Sequence, residues 1–531
     1  MAVKIIADIV YRLETKKDSH QNYRLVKLLR KGHPMCRMNG VILVIYFHNI
    51  FGNIIDKGNL KIKLLAEQTG VDRASIYQYK NGKSLPSKDF LDKFISVMQL
   101  SNSEENELRE SYNIAKIGVS TYLKRNQMKR CFEILNDAIF DNVQMGYKPS
   151  TAQIMLPDHS AVFSGKDKIT ALVKNVIDFE FALANECEHE VSIKTFIPSN
   201  YTEFYQHLSE LYHSHKGMTI NFEPIISFTK TNNYESNNII EAFSSIMYFI
   251  FTDCPGYNPR FYYDENNFLD SIGILYPYYI ITTRHLIILD VKLNNAQIIL
   301  DNSVIENYCT KFNEAFSKTK PLIKKFPQLI DMLTLLMEKN QAQNSDWVLL
   351  NADVGCCIHQ FADDDMVAKY INQKYINLAQ VLNYHTLMCR HEHIGFYKVF
   401  QTINGIKDFA KTGKINQIQS ILKNKISVED RKVLLNIAYE NPNEIGNLID
   451  HNKIKIPPIT MMIYKNDMVI MYIDVISDIL IISEPEIANA FYDFLDSLIG
   501  SEYIINDQDG IKKVINECIA ICDKQLSSPE L

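Results

Sequence analysis

The sequence predicts a multidomain protein, with a small all-α head followed by a larger α+β body that carries an internal duplication. Three observations predict it. The chain has 531 residues, more than one hydrophobic core organises. Leu65–Pro86, LAEQTGVDRASIYQYKNGKSLP, holds two short helical patterns separated at Gly70. From Val191 onward, short β-branched and aromatic runs alternate with amphipathic helical patterns.

Residues 1–37 form a basic extension that fits no element, and Met38 is a candidate start. The apolar run Val41–Phe47 is broken by His48 and is too short to span a bilayer. It is read as the beginning of a first helix over Val41–Ile55. A second short helix ends at Gly70, with the small Ala66 allowing close approach of its neighbour. Leu65, Val71, Ile76 and Tyr79 then point inward, which leaves Arg73, Ala74, Ser75, Tyr77 and Gln78 on the outer face of the third helix. Asn81-Gly82-Lys83 and Pro86 close it, and an amphipathic helix with Phe90, Phe94, Ile95 and Met98 follows, then SNSEENELRESY from Ser101.

This constellation resembles the Xre/Cro-type helix-turn-helix of phage repressors and bacterial regulators over about residues 40–118, and the head is drawn as 38–118. The resemblance implies double-stranded DNA as partner, with the third helix in the major groove. It implies base-edge contacts for Arg73, Ala74 and Gln78, phosphate contacts for Ser75, Asn81 and Lys83, and Tyr77 on the same face. Arg73 suits the O6/N7 edge of guanine and Gln78 suits adenine, while Ala74 offers only a methyl contact. The chain departs from the family at Ile62, where many members place a glutamine.

Charge points the same way. Residues 1–131 carry 23 Lys/Arg against 12 Asp/Glu, and the remainder carries 33 against 50. A basic front on an acidic body suits a DNA-binding head, because phosphate attraction needs clustered cations. One head reads few base pairs, so a homodimer is expected.

Residues 119–149 read as a linker helix whose stripe of Leu123, Met128, Phe132, Leu135 and Ile139 packs on the body in preference to a second subunit. The body divides into an α/β unit over 150–327, a helical region over 328–452 and a second α/β unit over 453–531. Strands are expected at Val191–Ile197, Met218–Ile226, Tyr278–Thr283, His285–Val291 and Gln297–Leu300, with a helix at Tyr201–Ser214 between the first two. Strands are expected again at Ile459–Tyr464, Met468–Ile473 and Ile479–Ile482. Setting QIILDNSVIENYCTKFNEAF beside ILIISEPEIANAFYDFLDSL aligns Ile305 with Ile487 and Phe312 with Phe494, the basis of the duplication. A repeated strand–helix–strand unit faintly resembles the phospholipase D-like sensor module. Activity there requires His-x-Lys with a downstream Asp in each copy, which the chain does not supply; His213-Ser214-His215-Lys216 has the wrong spacing.

Candidate chemistry is sparse. Cys356, Cys357, His359, His385, Cys389, His391 and His393 are the densest set of soft ligands, yet neither half has a Cys-x-x-Cys knuckle, so no metal is expected. Tyr257–Tyr279, rich in aromatic residues, is either a pocket wall or a cover over strands. Cys518 and Cys522 read as core, and the ten scattered cysteines fit a reducing cytoplasm. No P-loop, nucleophile elbow or dinucleotide glycine pattern occurs. No catalysis and no cofactor are expected. The sequence therefore reads as a cytoplasmic DNA-binding transcriptional regulator whose body senses a small-molecule or protein effector or sets oligomeric state. The rival reading is an enzyme or defence effector whose head recruits or autoregulates it.

Overall fold

The computed structural model describes residues 35–38, 41–44, 46–58, 61–139, 155–187, 190–198, 201–215, 218–229, 256–264, 276–326, 347–351, 361–370, 372, 397–414, 424–473 and 478–527, with isolated positions between 239 and 249. The described residues fall into two compact units that divide at Asn126/Gln127.

The head opens with a hairpin of β1 (Met35–Met38) and β2 (Val41–Val44), where a continuous helix from Val41 was expected. The reason is local. Met38 pairs with Val41 across Asn39-Gly40, the strongest sequence signal for a two-residue hairpin loop, and Val-Ile-Leu-Val favours strand. The hairpin also crosses the boundary drawn at residue 37. Helix α1 (Phe47–Lys57) begins only after it. Then come α2 (Ile62–Thr69), α3 (Arg73–Lys80), α4 (Lys88–Met98) and α5 (Asn102–Ile117). Their apolar stripes meet in one core of Phe47, Phe51, Leu65, Ile76, Phe90, Phe94 and Leu108, with Phe51 and Phe94 rings 4.6 Å apart. Ser101 and Glu104 start α5 with a reciprocal capping box.

Helix α6 (Val119–Ile139) occupies the first part of the span 119–149 expected as a linker helix, and residues 140–149 lie outside the described residues. Met128, Phe132 and Leu135 are fully buried in the core of the body, with the Phe132 ring 5.1 Å from Phe494. That part of the stripe is therefore unavailable to a second subunit.

In the body, a first sheet takes in β3 (Ala161–Ser164), β4 (Val191–Phe196), β5 (Ile220–Thr229), β6 (Gly256–Tyr257), β7 (Arg260–Asp264), β8 (Tyr278–Ile281), β9 (Leu286–Leu289), β10 (Asn295–Ile299) and β11 (Lys320–Pro321). Its order is β11-β7-β5-β4-β8-β9-β10-β3, with β6 beside β5. Helices α7 (Lys166–Cys187), α8 (Thr202–Ser214) and α9 (Asn302–Lys318) accompany it. A second sheet takes in β12 (Ile323–Phe326), β13 (Trp347–Asn351), β14 (Tyr397–Thr402), β15 (Asn447–Ile449), β16 (Thr460–Tyr464), β17 (Met468–Ile473), β18 (Asp478–Ile482) and β19 (Ile504–Ile505). Its order is β12-β18-β17-β16-β13-β14-β15-β19. The span 328–452, expected to be helical, thus also contributes three strands. It holds α10 (Asp364–Tyr370), α11 (Ile403–Thr412) and α12 (Val428–Glu440) as well. Helices α13 (Pro485–Leu498) and α14 (Gln508–Ser527) complete the body.

The two sheets share one topology. In each, three strands run parallel (β4-β5-β7 and β13-β14-β15). In each, an antiparallel meander continues from the first of them (β8-β9-β10 and β16-β17-β18). An early strand closes one edge (β3, β12) and a late two-residue strand the other (β11, β19). The duplication thus extends across eight strands and runs from β3 to β11 and from β12 to β19. A common core joins them, holding Ile193, Phe222 and Leu289 from one sheet and Val348, Phe400 and Ile463 from the other. A second cluster, with Phe409, Leu434, Leu435, Ile515 and Cys518, packs α11, α12 and α14.

The matching helices have diverged. On α13, Ala488, Phe491 and Leu495 are buried, whereas the aligned α9 residues Glu306 and Asn313 are exposed and Cys309 is half-buried. Glu484 caps α13, accepting the Ile487 N–H at 2.7 Å, and it also accepts the Tyr263 hydroxyl from the first sheet. Burial lifts the Glu484 carboxyl above the usual range, and the two hydrogen bonds it accepts oppose that rise.

Candidate nucleic-acid interface

Gly70 ends α2 with φ +74°, a left-handed conformation that favours glycine, and donates its N–H to the Ala66 carbonyl at 3.0 Å. Thr69, fully buried, returns its hydroxyl to Leu65 O at 2.7 Å. Two residues later Asp72 caps α3, accepting the Ser75 N–H at 2.9 Å and the Ser75 hydroxyl at 2.6 Å. These bonds hold the Asp72 carboxyl below its ordinary range. The turn and cap together fix where α3 starts.

Ile76 is completely buried and Tyr79 lies against Phe90 at 5.2 Å, so the inner face of α3 is anchored in the head core. Arg73, Ala74, Tyr77 and Gln78 are exposed on the other face, with Tyr77 51% exposed. Lys80 Nζ lies 2.5 Å from Asp56 of α1, which fixes the far end of α3. The stem of Lys80 passes close to Gly52, where an added Cβ would come within 3.5 Å of it.

The loop after α3 is folded back on the helix. Asn81 N–H reaches Tyr77 O at 3.0 Å, Gly82 N–H reaches Tyr79 O at 3.1 Å and Lys83 N–H reaches Gln78 O at 2.9 Å. Gly82 has φ +67°, and the His48 ring of α1 lies directly over it. Tyr46 stacks on His48 with centroids 5.8 Å apart. Partial burial lowers the His48 pKa. The Tyr112 hydroxyl donates to Pro86 O at 3.0 Å and ties the end of the loop to α5.

Of the seven residues singled out from the sequence, Arg73, Ala74, Tyr77, Gln78, Asn81 and Lys83 are exposed on α3 and its closing loop. Ser75 differs: it is half-buried and its hydroxyl is donated to Asp72, so it acts in the cap. Asp72, Lys80 with Asp56, and His48 were not singled out. An Asp three residues before a Ser at a helix start was the available signal for the first. The other two are contacts between α1 and α3 or its loop, which spacing alone does not reveal.

Other candidates resolve differently. The seven Cys and His residues between Cys356 and His393 lie outside the described residues. In the aromatic segment, Tyr257 stacks on Phe222 at 5.4 Å, and Tyr279 meets Tyr308 at 5.5 Å. The described rings there are packed against neighbours as core, while residues 265–275 lie outside the described residues. Cys518 and Cys522 are buried, and burial lifts the Cys518 thiol to about 12, so neither is a thiolate at neutral pH. One His-x-Lys does occur, at His451-Asn452-Lys453 in the turn after β15. Its lysine donates to the Glu502 carbonyl at 3.0 Å, and Pro457 and Pro458 follow. A single such motif does not supply one per copy. Among the described residues no helix is long and apolar enough to cross a membrane.

A helix-turn-helix family model matches residues 53–101, so the head contains a helix-turn-helix domain. No curated protein matches the chain. Among solved structures, the chain is similar to TrmBL2, an archaeal chromatin protein described as showing a novel mode of DNA binding. That match has 13% identity and a TM-score of 0.22, covering 52% of this chain and 99% of that one. It is also similar to phosphatidylserine synthase of Haemophilus influenzae Rd KW20, at 7% identity and a TM-score of 0.22, covering 74% and 98%. Polyphosphate kinase from Porphyromonas gingivalis follows at 8% identity and 0.19, covering 68% and 56%. Likeness at these TM-scores carries no argument about function.

Proposed function

We propose that the protein is a sequence-specific DNA-binding transcriptional regulator, acting as a homodimer on double-stranded DNA. The observation that carries this reading is the outer face of α3. Arg73, Ala74, Tyr77 and Gln78 are exposed on a helix whose other face is locked into the core and whose two ends are fixed by Asp72 and by Lys80 with Asp56. A rigid helix carrying a guanidinium, an amide and a phenol on one free face is built to read base edges in a major groove. Asn81 and Lys83, exposed in the closing loop, are placed to hold phosphates. Asp72 repels phosphate near the start of the same helix, so affinity rests on the lysines and on shape.

The duplicated body then serves as the platform that sets oligomeric state and responds to a small-molecule or protein effector, without hydrolytic activity. An effector acts there only by binding one assembly state more tightly than another. Footprinting of the full-length chain on genomic DNA tests the reading. Arg73→Ala should cost about 1–3 kcal/mol on the specific site and relax base preference, whereas Lys83→Ala should weaken all sequences alike. Equal loss on specific and random DNA for Arg73→Ala removes α3 as the reader.

A further inference from the structure

Sheet edges present unpaired backbone groups, and folded proteins guard them with lysine, proline or brevity. Three of the four terminal strands of the two sheets are guarded in this way. β11 is Lys320-Pro321, β19 is two residues long, and β12 carries Lys324 and Lys325 at its centre. β3 is the counterpart of β12 in the other copy. It reads Ala161-Val162-Phe163-Ser164, with no charge, and Val162 is 64% exposed. Two strands in equivalent places, one protected and one bare among the described residues, point to a use for the bare one.

We propose that β3 pairs antiparallel with β3 of a second copy, about a two-fold axis through Val162. The inference rests on the dimeric reading above and names its surface. The direction of the backbone groups supports the register. Gly165 N–H donates inward to Asn294 O at 2.8 Å, and Phe163 and Ala161 share its parity opposite Ala296 and Ile298. Ser160, Val162 and Ser164 therefore direct their N–H and C=O groups outward. Centred on Val162, the register sets Val162 against Val162 and Ser160 against Ser164 in both directions, so every outward group finds a partner. It also brings the exposed Asp158 of each copy toward the exposed Lys166 of the other, opposite charges that within one copy pair with His159 and Glu203. A foreign peptide would need a sequence that fits; the second copy already has it.

Sedimentation of the full-length chain tests this. The wild type should sediment as a dimer, and Val162→Lys should raise the dimer dissociation constant at least tenfold with the circular dichroism spectrum unchanged. Val162→Cys should cross-link under mild oxidation beyond the wild-type background, because residues paired across an antiparallel ladder lie within disulfide reach. Ser164→Cys, opposite Ser160, should not. If Val162→Lys misfolds, the cysteine pair still decides the register. A monomeric wild type, or a dimer in which Val162→Cys fails to cross-link, overturns the β3 surface. A cross-linked dimer that leaves no footprint on DNA instead overturns the regulator reading and leaves β3 standing.

Discussion

Gly82 and Gly70 offer a controlled comparison of how the reading helix is held. Both have left-handed backbones, at φ +67° and +74°. An alanine at either position carries a similar backbone penalty, about 1 kcal/mol. Around Gly70 an added Cβ meets nothing within 4 Å, so Gly70→Ala should cost that amount alone. At Gly82 the same Cβ would stand 2.8 Å from His48 Nδ1 and 3.0 Å from its Cγ. The ring must move, and with it the stack on Tyr46, a contact worth about 0.5–1.5 kcal/mol. Gly82→Ala should therefore cost about 1.5–2.5 kcal/mol. The readout is hydrogen exchange of α3 amides in the full-length chain, where opening free energies are measured locally. Gly70→Ala should speed exchange about fivefold and Gly82→Ala more than tenfold, since 1.4 kcal/mol is a factor of ten. In a His48→Ala background the two glycine variants should converge. Equal effects in the wild-type background, or a gap that survives removal of His48, would refute the assignment of His48 as the support of the closing loop.

Other outcomes follow from the same structure. Glu107 of the head is half-buried and burial raises its carboxyl to about 7. A carboxyl raised on folding destabilises as it ionises, so head stability should fall between pH 4.5 and 7. Glu107→Gln should remove that slope in urea unfolding monitored across pH. The gain at pH 8 is about 1 kcal/mol after allowance for solvent screening, with little change at pH 4. Phe132→Ala should cost about 3–5 kcal/mol in unfolding of the body, because the ring is fully buried against Phe491 and Phe494. Lys80→Met should weaken specific DNA binding by no more than tenfold, since Asp56 is largely exposed and the ion pair adds little energy. A larger loss in a filter-binding titration would make Lys80 a direct DNA contact.

The head was legible because its signals are local. Gly70 and the buried positions Leu65, Ile76, Phe90 and Phe94 sit at spacings that a helix imposes, and the family model covers the same stretch. Strands such as Val191–Phe196 and Met468–Ile473 were legible for the same reason, as short apolar runs bounded by turns. Two kinds of fact were not. One is the hairpin joined at Asn39-Gly40, a signal that the helical reading of Val41–Ile55 did not use. Sheet order is the other kind: β13 pairs with β16 across more than a hundred residues, and no local period encodes that partner. The duplication showed in sequence only at the three meander strands of each copy and the helix that follows them. Elsewhere the copies keep strand direction and order while their side chains have changed.

That divergence has an evolutionary consequence. Helix α13 is buried on several sides, so a mutation at Ala488 or Leu495 meets packed neighbours and is removed by selection for folding. At the aligned α9 positions Glu306 and Asn313 face solvent, and substitutions there leave the core untouched. Helix α13 is thus held in place, while the exposed face of α9 is free to drift. New recognition, if this lineage acquires any, should accumulate on the α9 side of the first copy, and two descendants of this chain should resemble each other more closely in α13 than in α9.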